Sequence, residues 1–132
     1  MLQILNPKQI QMTQVQNSKQ YDLEERTLKF SARVRNFVKK LPRTVGNIED
    51  GKQLIRSSGS LGANYIEANE ALSRKDFVHR TKICRKETKE TIYWLKLVDV
   101  GDNSDLESER QKLLGEATEI MKIFGSIIEK SK

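Results

Sequence analysis

From Asp22 onward, apolar residues recur at steps of three and four, the spacing that places them on one face of a helix. Leu23, Thr27, Phe30, Val34, Phe37, Val38 and Leu41 form the first stripe. Asp22 is positioned to cap it, Glu24 and Glu25 suit the positive end of a helix, and Pro42 stops it. After a turn over 43–46, Asn47 opens a second stripe with Glu49 and Asp50 in its first turn. That stripe runs through Leu54, Ile55, Ser58, Leu61, Tyr65, Ile66, Asn69 and Leu72. Ser73 and Asp76 have the spacing of a capping box, with Asp for the usual Glu, and begin a third helix. Its seam repeats every seven residues at Phe77, Cys84, Thr91 and Val98, interleaved with Thr81, Thr88 and Leu95. A break over 101–104 leads to a fourth stripe at Leu106, Leu113, Ala117, Ile120, Met121, Phe124, Ile127 and Ile128. Strand-like alternation is absent throughout. Helices of about 20–28 residues joined by short turns predict an all-α protein, an antiparallel up-down-up-down four-helix bundle over 22–132.

Residues 1–21 lack a sustained period and are rich in glutamine, which predicts a flexible N-terminal arm, ordered by a partner or without a role. The 132 residues suffice for one domain. No apolar run approaches the ~20 residues of a membrane span, and the N-terminus lacks the pattern of a signal peptide. The single cysteine, Cys84, excludes an internal disulfide and suits a reducing cytoplasm, the expected location. With one histidine, His79, a zinc site built from His and Cys is excluded, and so is a carboxylate-bridged di-iron centre, which needs a histidine from each of two helices. No cofactor is expected, and Cys84 reads as a small buried hydrophobe.

Charge changes the picture more. The net charge is +6, but it is unevenly spread. Residues 22–41 carry six bases against three acids, and 73–99 carry eight against four; the second and fourth segments are each net acidic. On the third helix Lys75, Lys82, Arg85, Lys86, Lys89 and Lys96 share one flank of the seam, with Tyr93 among them. On the first, Arg26, Lys29, Arg33 and Lys40 repeat at one to two turns. Clustered cations of this kind neutralise phosphates without a set motif; the same pattern also serves as a solvated face. The opposite flank of the third helix carries Ile83, Trp94 and Leu97, a second apolar stripe that fits either a subunit interface or a wide core.

Residues 57–63, Ser-Ser-Gly-Ser-Leu-Gly-Ala, are unusual inside a helix, because Gly59 and Gly62 each cost about 1 kcal/mol relative to Ala. Small residues there point to a close approach of another helix. A phosphate loop is the poorer reading, since no strand precedes the segment and no Gly-Lys-Ser/Thr closes it. Arg56 can meet Glu87 and Glu90 across the bundle, a buried ion pair that sets helix register; no pocket or catalytic constellation accompanies it.

The stretch 41–44, Leu-Pro-Arg-Thr, and the run from Gly51 to Ala71 resemble the bacterial four helix bundle protein family, whose founding members are encoded in intervening sequences of 23S ribosomal RNA genes. Phe77 and the run Cys84–Leu95 are also similar to its third-helix pattern, and the resemblance covers roughly residues 23–128. It implies an antiparallel bundle that assembles as a homo-oligomer, in several members a pentameric ring. The accessory variability protein of diversity-generating retroelements, a relative, forms a basic ring and works with a reverse transcriptase and nucleic acid. Arg56, Ser57, Gly62, Asn64, Glu67, Ala68, Glu87 and Glu90 stand at the most recognisable positions of the pattern, and the resemblance implies structural roles for them. The glutamine-rich lead-in is longer than is usual in the family.

These observations lead to an expectation of a non-enzymatic, oligomeric bundle that binds nucleic acid, RNA or DNA, through the basic faces of the first and third helices. The alternative is a protein–protein adaptor without nucleic-acid binding. A hydrolase or nuclease lacks the residues.

Overall fold

The computed structural model describes residues 7–132, with side chains described from Leu23 onward. Four helices follow one another: α1 (Pro7–Lys39), α2 (Val45–Asn69), α3 (Arg74–Leu97) and α4 (Ser104–Lys130). Each packs on its neighbours in sequence and α4 closes on α1, whereas among the described residues the backbones of α1 and α3 stay apart. This is the expected up-down-up-down bundle, with α1 and α3 on one diagonal. Leu23, Phe30, Val34, Phe37, Leu54, Leu61, Leu95, Leu113, Ile120 and Phe124 lie in its core. No described helix is long and apolar enough to cross a membrane. The arm expected over 1–21 falls on residues whose side chains lie outside the described part; residues 1–6 lie outside it altogether.

Several boundaries differ from those the sequence suggests. α1 is already helical at Pro7, so Asp22 does not begin it. The N-cap of α2 is Thr44, whose Oγ1 accepts from the Asn47 amide at 3.0 Å. Two cap-competent residues lie three apart, and the earlier one starts the helix. Glu49 and Asp50 are therefore beyond its first turn. Asn47 is buried instead, and its amide group joins two turns at one end of the bundle. Its Nδ2 donates to the carbonyls of Pro42 (2.9 Å) and Asp99 (2.8 Å), while its Oδ1 accepts from the Asp99 amide (2.9 Å). Ser73 caps α3 as expected, accepting from the Asp76 amide at 3.0 Å, and Asn103 caps α4 through the Leu106 amide.

The stripe on α2 is narrower than its apolar residues suggest. Ile66 and Leu72 are exposed, and the buried face is completed by Asn47, Gly51, Ser57 and Ala68. Small residues here do bring helices together. A Cβ on Gly62 would stand 3.0 Å from Thr27 Oγ1 and 3.3 Å from Thr27 Cβ, and one on Gly51 would stand 3.0 Å from Val38 Cγ1. Both neighbours belong to α1. Against α3, the contact is polar yet dry: Thr91 Oγ1 lies 2.8 Å from Ser57 Oγ and 2.8 Å from the Glu87 carbonyl, all buried. Cys84, fully buried on the expected seam, has its thiol pushed up to about 12 by desolvation.

Candidate functional site

The two faces of α3 diverge in their surroundings because its neighbours lie on different sides. Toward α2, Glu87 is buried and Glu90 partly so. The Arg56 guanidinium reaches across from α2 to both, with Nη1 3.0 Å from Glu87 Oε2 and Nη2 2.6 Å from Glu90 Oε1. Gln53 steadies the same guanidinium by accepting from its Nε at 3.2 Å. Trp94 Nε1 donates to Glu90 Oε1 at 3.2 Å. Glu90 is thus held below the usual glutamate range, chiefly by its bond to Arg56. The expected ion pair exists, but with its arginine about half exposed (48%) rather than buried. A half-exposed guanidinium can satisfy a buried carboxylate without full desolvation of both charges, which favours this arrangement as a register lock.

The other candidate positions on α2 are also structural in their contacts. Ser57 and Ala68 are buried; Asn64 donates to the Ser60 carbonyl at 2.9 Å and its hydroxyl at 3.0 Å. Glu67 is exposed. Ile83, Trp94 and Leu97 do not form one free apolar face. Trp94 is half-buried, packs against the core and stacks edge-on with Tyr93 at 4.9 Å, Ile83 is half-buried, and Leu97 is 50% exposed.

On the outer side of α3, Lys75, Lys82, Lys86, Lys89 and Lys96 are exposed, and Arg85 is half-exposed near Glu129 of α4. Lys75, Lys82, Lys89 and Lys96 form no ion pair among the described residues. Lys86 has only the more distant charge of Glu90. The basic residues of α1 are placed differently. Arg26 makes a bidentate pair with Glu116 (2.7 and 2.8 Å), and Arg33 reaches Glu109 at 3.1 Å, both across to α4. The Arg26 bond holds Glu116 below its ordinary range. These two arginines, expected as phosphate ligands, therefore serve the α1–α4 seam. Lys29 lies 3.9 Å from Glu25 on its own helix, and Lys40 is exposed.

α1 and α3 lie on one diagonal of the bundle, so their outermost faces point away from each other. Sequence reasoning also passed over a third group of cations, Arg35, Lys39, Arg43 and Lys52, where α1 ends and α2 begins. They belong to two helices and a turn, so no single helical period connects them. Among the described residues, no three His, Cys, Asp or Glu side chains converge as metal ligands. His79 is exposed.

Comparison with known proteins agrees with this architecture. A crystallised protein of unknown function from the S23 ribosomal protein family of Bacteroides thetaiotaomicron is 34% identical, with a TM-score of 0.68. The likeness covers 80% of this chain and 97% of that one. None of the curated proteins matches. Residues 19–126 match the model of the 23S rRNA-intervening sequence protein family. With the match spanning all four helices, and a bundle of the same shape at 34% identity beside it, the chain belongs to that family.

Proposed function

We propose that this protein is a non-enzymatic nucleic-acid-binding bundle that works as a homo-oligomer. The observation that carries this reading is the row of exposed lysines on α3, Lys75, Lys82, Lys86, Lys89 and Lys96, which form no ion pair among the described residues. Arg26 and Arg33 of α1 show the contrast, since both are neutralised by α4. The row runs from Lys75 to Lys96, about 32 Å of helix at about 1.5 Å per residue. That length passes several successive phosphates of a duplex backbone. The family name adds an association with ribosomal RNA genes, which favours RNA as the ligand. Each added copy in an oligomer contributes a net +6 and strengthens the attraction.

Fluorescence anisotropy with labelled structured RNA and duplex DNA, titrated at about 50 and about 200 mM salt, tests the reading. Five phosphate contacts give a log–log salt slope of about −4, and the K82E/K86E/K89E variant should reduce it to about −2 or less with unchanged helicity. Equal affinity of the triple variant and the parent would refute the assignment to α3. Light scattering tests the assembly. Trp94→Glu, placed beside half-exposed Leu97, should yield a monomer if this flank joins copies; an unchanged mass would exclude it.

A further inference from the structure

At the end of the bundle where α1 meets α2, the helices part over a groove of about 470 Å³. Its wall is aliphatic: Val38, Leu41 and Pro42 on one side, Ile48 and Ile55 on the other. Ile48, in the first turn of α2, lies against this recess and is 42% exposed. Gly51 lies at the floor between the two sides, where its lack of a side chain lets Val38 come close. Arg35, Lys39, Arg43 and Lys52 line the rim. Lys52 is partly offset by Glu49 at 3.6 Å, whereas Arg35, Lys39 and Arg43 are exposed and form no ion pair among the described residues.

We infer that this groove docks a short acidic segment of a partner protein, with aliphatic side chains in the recess and carboxylates on the rim. The chemistry discriminates between occupants. Bases of single-stranded nucleic acid are held by stacking on aromatic rings and by hydrogen bonds to their edges. This groove has no aromatic lining, and the amide of Asn47, its one uncharged polar side chain, already makes three hydrogen bonds to Pro42 and Asp99. Aliphatic walls instead match Leu or Ile anchors, as in grooves that take one amphipathic face of a peptide. Guanidinium forks at Arg35 and Arg43 match carboxylates in a bidentate manner. The volume falls in the range of ligand pockets, ~300–1,000 Å³, and suits two or three anchoring side chains rather than a long helix. This surface lies on the α1–α2 end and is separate from the lysine row of α3.

The test uses the full chain and a fluorescein-labelled nonapeptide of Glu and Asp around three leucines, read by anisotropy. An all-acidic peptide of equal charge and an oligouridylate of similar length are the comparisons. Saturable binding of the leucine peptide is expected, at least tenfold tighter than the all-acidic one. Ile48→Glu should weaken it tenfold or more; the new acid sits in the first turn of α2, where the helix dipole favours it, so the fold should stand. Arg43→Glu, on the exposed turn, should weaken it similarly, and K82E/K86E/K89E should leave it unchanged. That last result separates this groove from the nucleic-acid reading, since the triple variant must lose oligonucleotide binding while keeping the peptide. Absence of saturable binding, equal affinity for the two peptides, or insensitivity to Ile48→Glu would each overturn the proposal. So would oligouridylate binding that Ile48→Glu weakens equally, or a change in oligomer mass on Ile48→Glu, which would assign the groove to nucleic acid or to a second copy.

Discussion

Gly62→Ala places a methyl group into the closest approach of α1 and α2. In an open helical position the change would stabilise, because Gly costs about 1 kcal/mol relative to Ala. Here the new Cβ would meet Thr27 Oγ1 at 3.0 Å and Thr27 Cβ at 3.3 Å. The hydroxyl could turn away only by giving up its bond to the Glu24 carbonyl, 3.0 Å, at a site that is 2% exposed. Losing such a buried bond costs about 1–3 kcal/mol. The Cβ of Thr27 is fixed to the backbone, so α1 itself must move by a few tenths of an ångström, and overpacking of this sort costs about 1–3 kcal/mol. Net destabilisation of about 1–5 kcal/mol is expected after the propensity gain is subtracted. Gly115, also helical, has no atom within 4 Å of its would-be Cβ, so Gly115→Ala should stabilise by about 0.5–1 kcal/mol. Urea unfolding followed by circular dichroism, at one fixed protein concentration, compares the two. The midpoints should move in opposite directions with equal slopes. In the T27A/G62A double variant, part of the loss should return as a coupling of about 0.5–1 kcal/mol. A Gly62→Ala protein as stable as Gly115→Ala would refute the close-packing argument.

Two other predictions concern polar groups. Asn47→Asp removes the amide donor and sets a carboxylate against the carbonyls of Pro42 and Asp99; a loss of about 2–4 kcal/mol is expected in the same urea experiment. Arg56→Met leaves the Glu87 carboxylate, 8% exposed, without its cation, and should cost about 1–3 kcal/mol, less than for a fully buried pair because Arg56 is half exposed. The same variant changes the response to acid. Glu90 and Glu116 sit below the ordinary glutamate value of 4.5 in the folded chain, so their contribution is complete above about pH 4.5 and is lost as pH falls through the lower folded values. Urea midpoints should therefore drop below about pH 4.5, and less steeply in Arg56→Met; parallel acid limbs would contradict the role of Arg56.

The periodic part of this architecture was legible in the sequence. Apart from half-buried Phe77, Met121 and Ile127, the seven-residue seam of α3 and the stripe of α4 are buried where the spacing puts them, because an amphipathic helix in a bundle has one face to hide. Arg56 with Glu87 and Glu90 could be anticipated because antiparallel neighbours bring such opposite charges within reach. Asn47 could not, since its partners at Pro42 and Asp99 belong to two separate turns and no local pattern relates them. Its cap-like identity pointed to the wrong role. Ile66 and Leu72 were misjudged for another reason: glycine and serine make the α2 interface so close that small residues share its buried face with Leu54, Leu61 and Tyr65. The basic stripes illustrate the same limit. Linear charge identified cations on α1 and α3, but only the contacts show that Arg26 and Arg33 are used by α4.

The position of Asn47 also bears on kinetics. Its three hydrogen bonds fasten the α1–α2 turn to the segment after α3, and the Arg110 Nη1 bond to the Val98 carbonyl, 2.5 Å, secures that segment to α4. All four helices are thereby fixed at this end, whereas the turn between α2 and α3 presents Leu72 at 88% exposure. Local opening should begin at the α2–α3 end, and the amides around Asn47 should exchange only in near-global unfolding. The groove of Arg35, Ile48 and Arg43 lies on the fastened end. Its shape exists before an acidic segment arrives, so little ordering entropy opposes capture and association should proceed at a rate set by encounter and charge rather than by rearrangement.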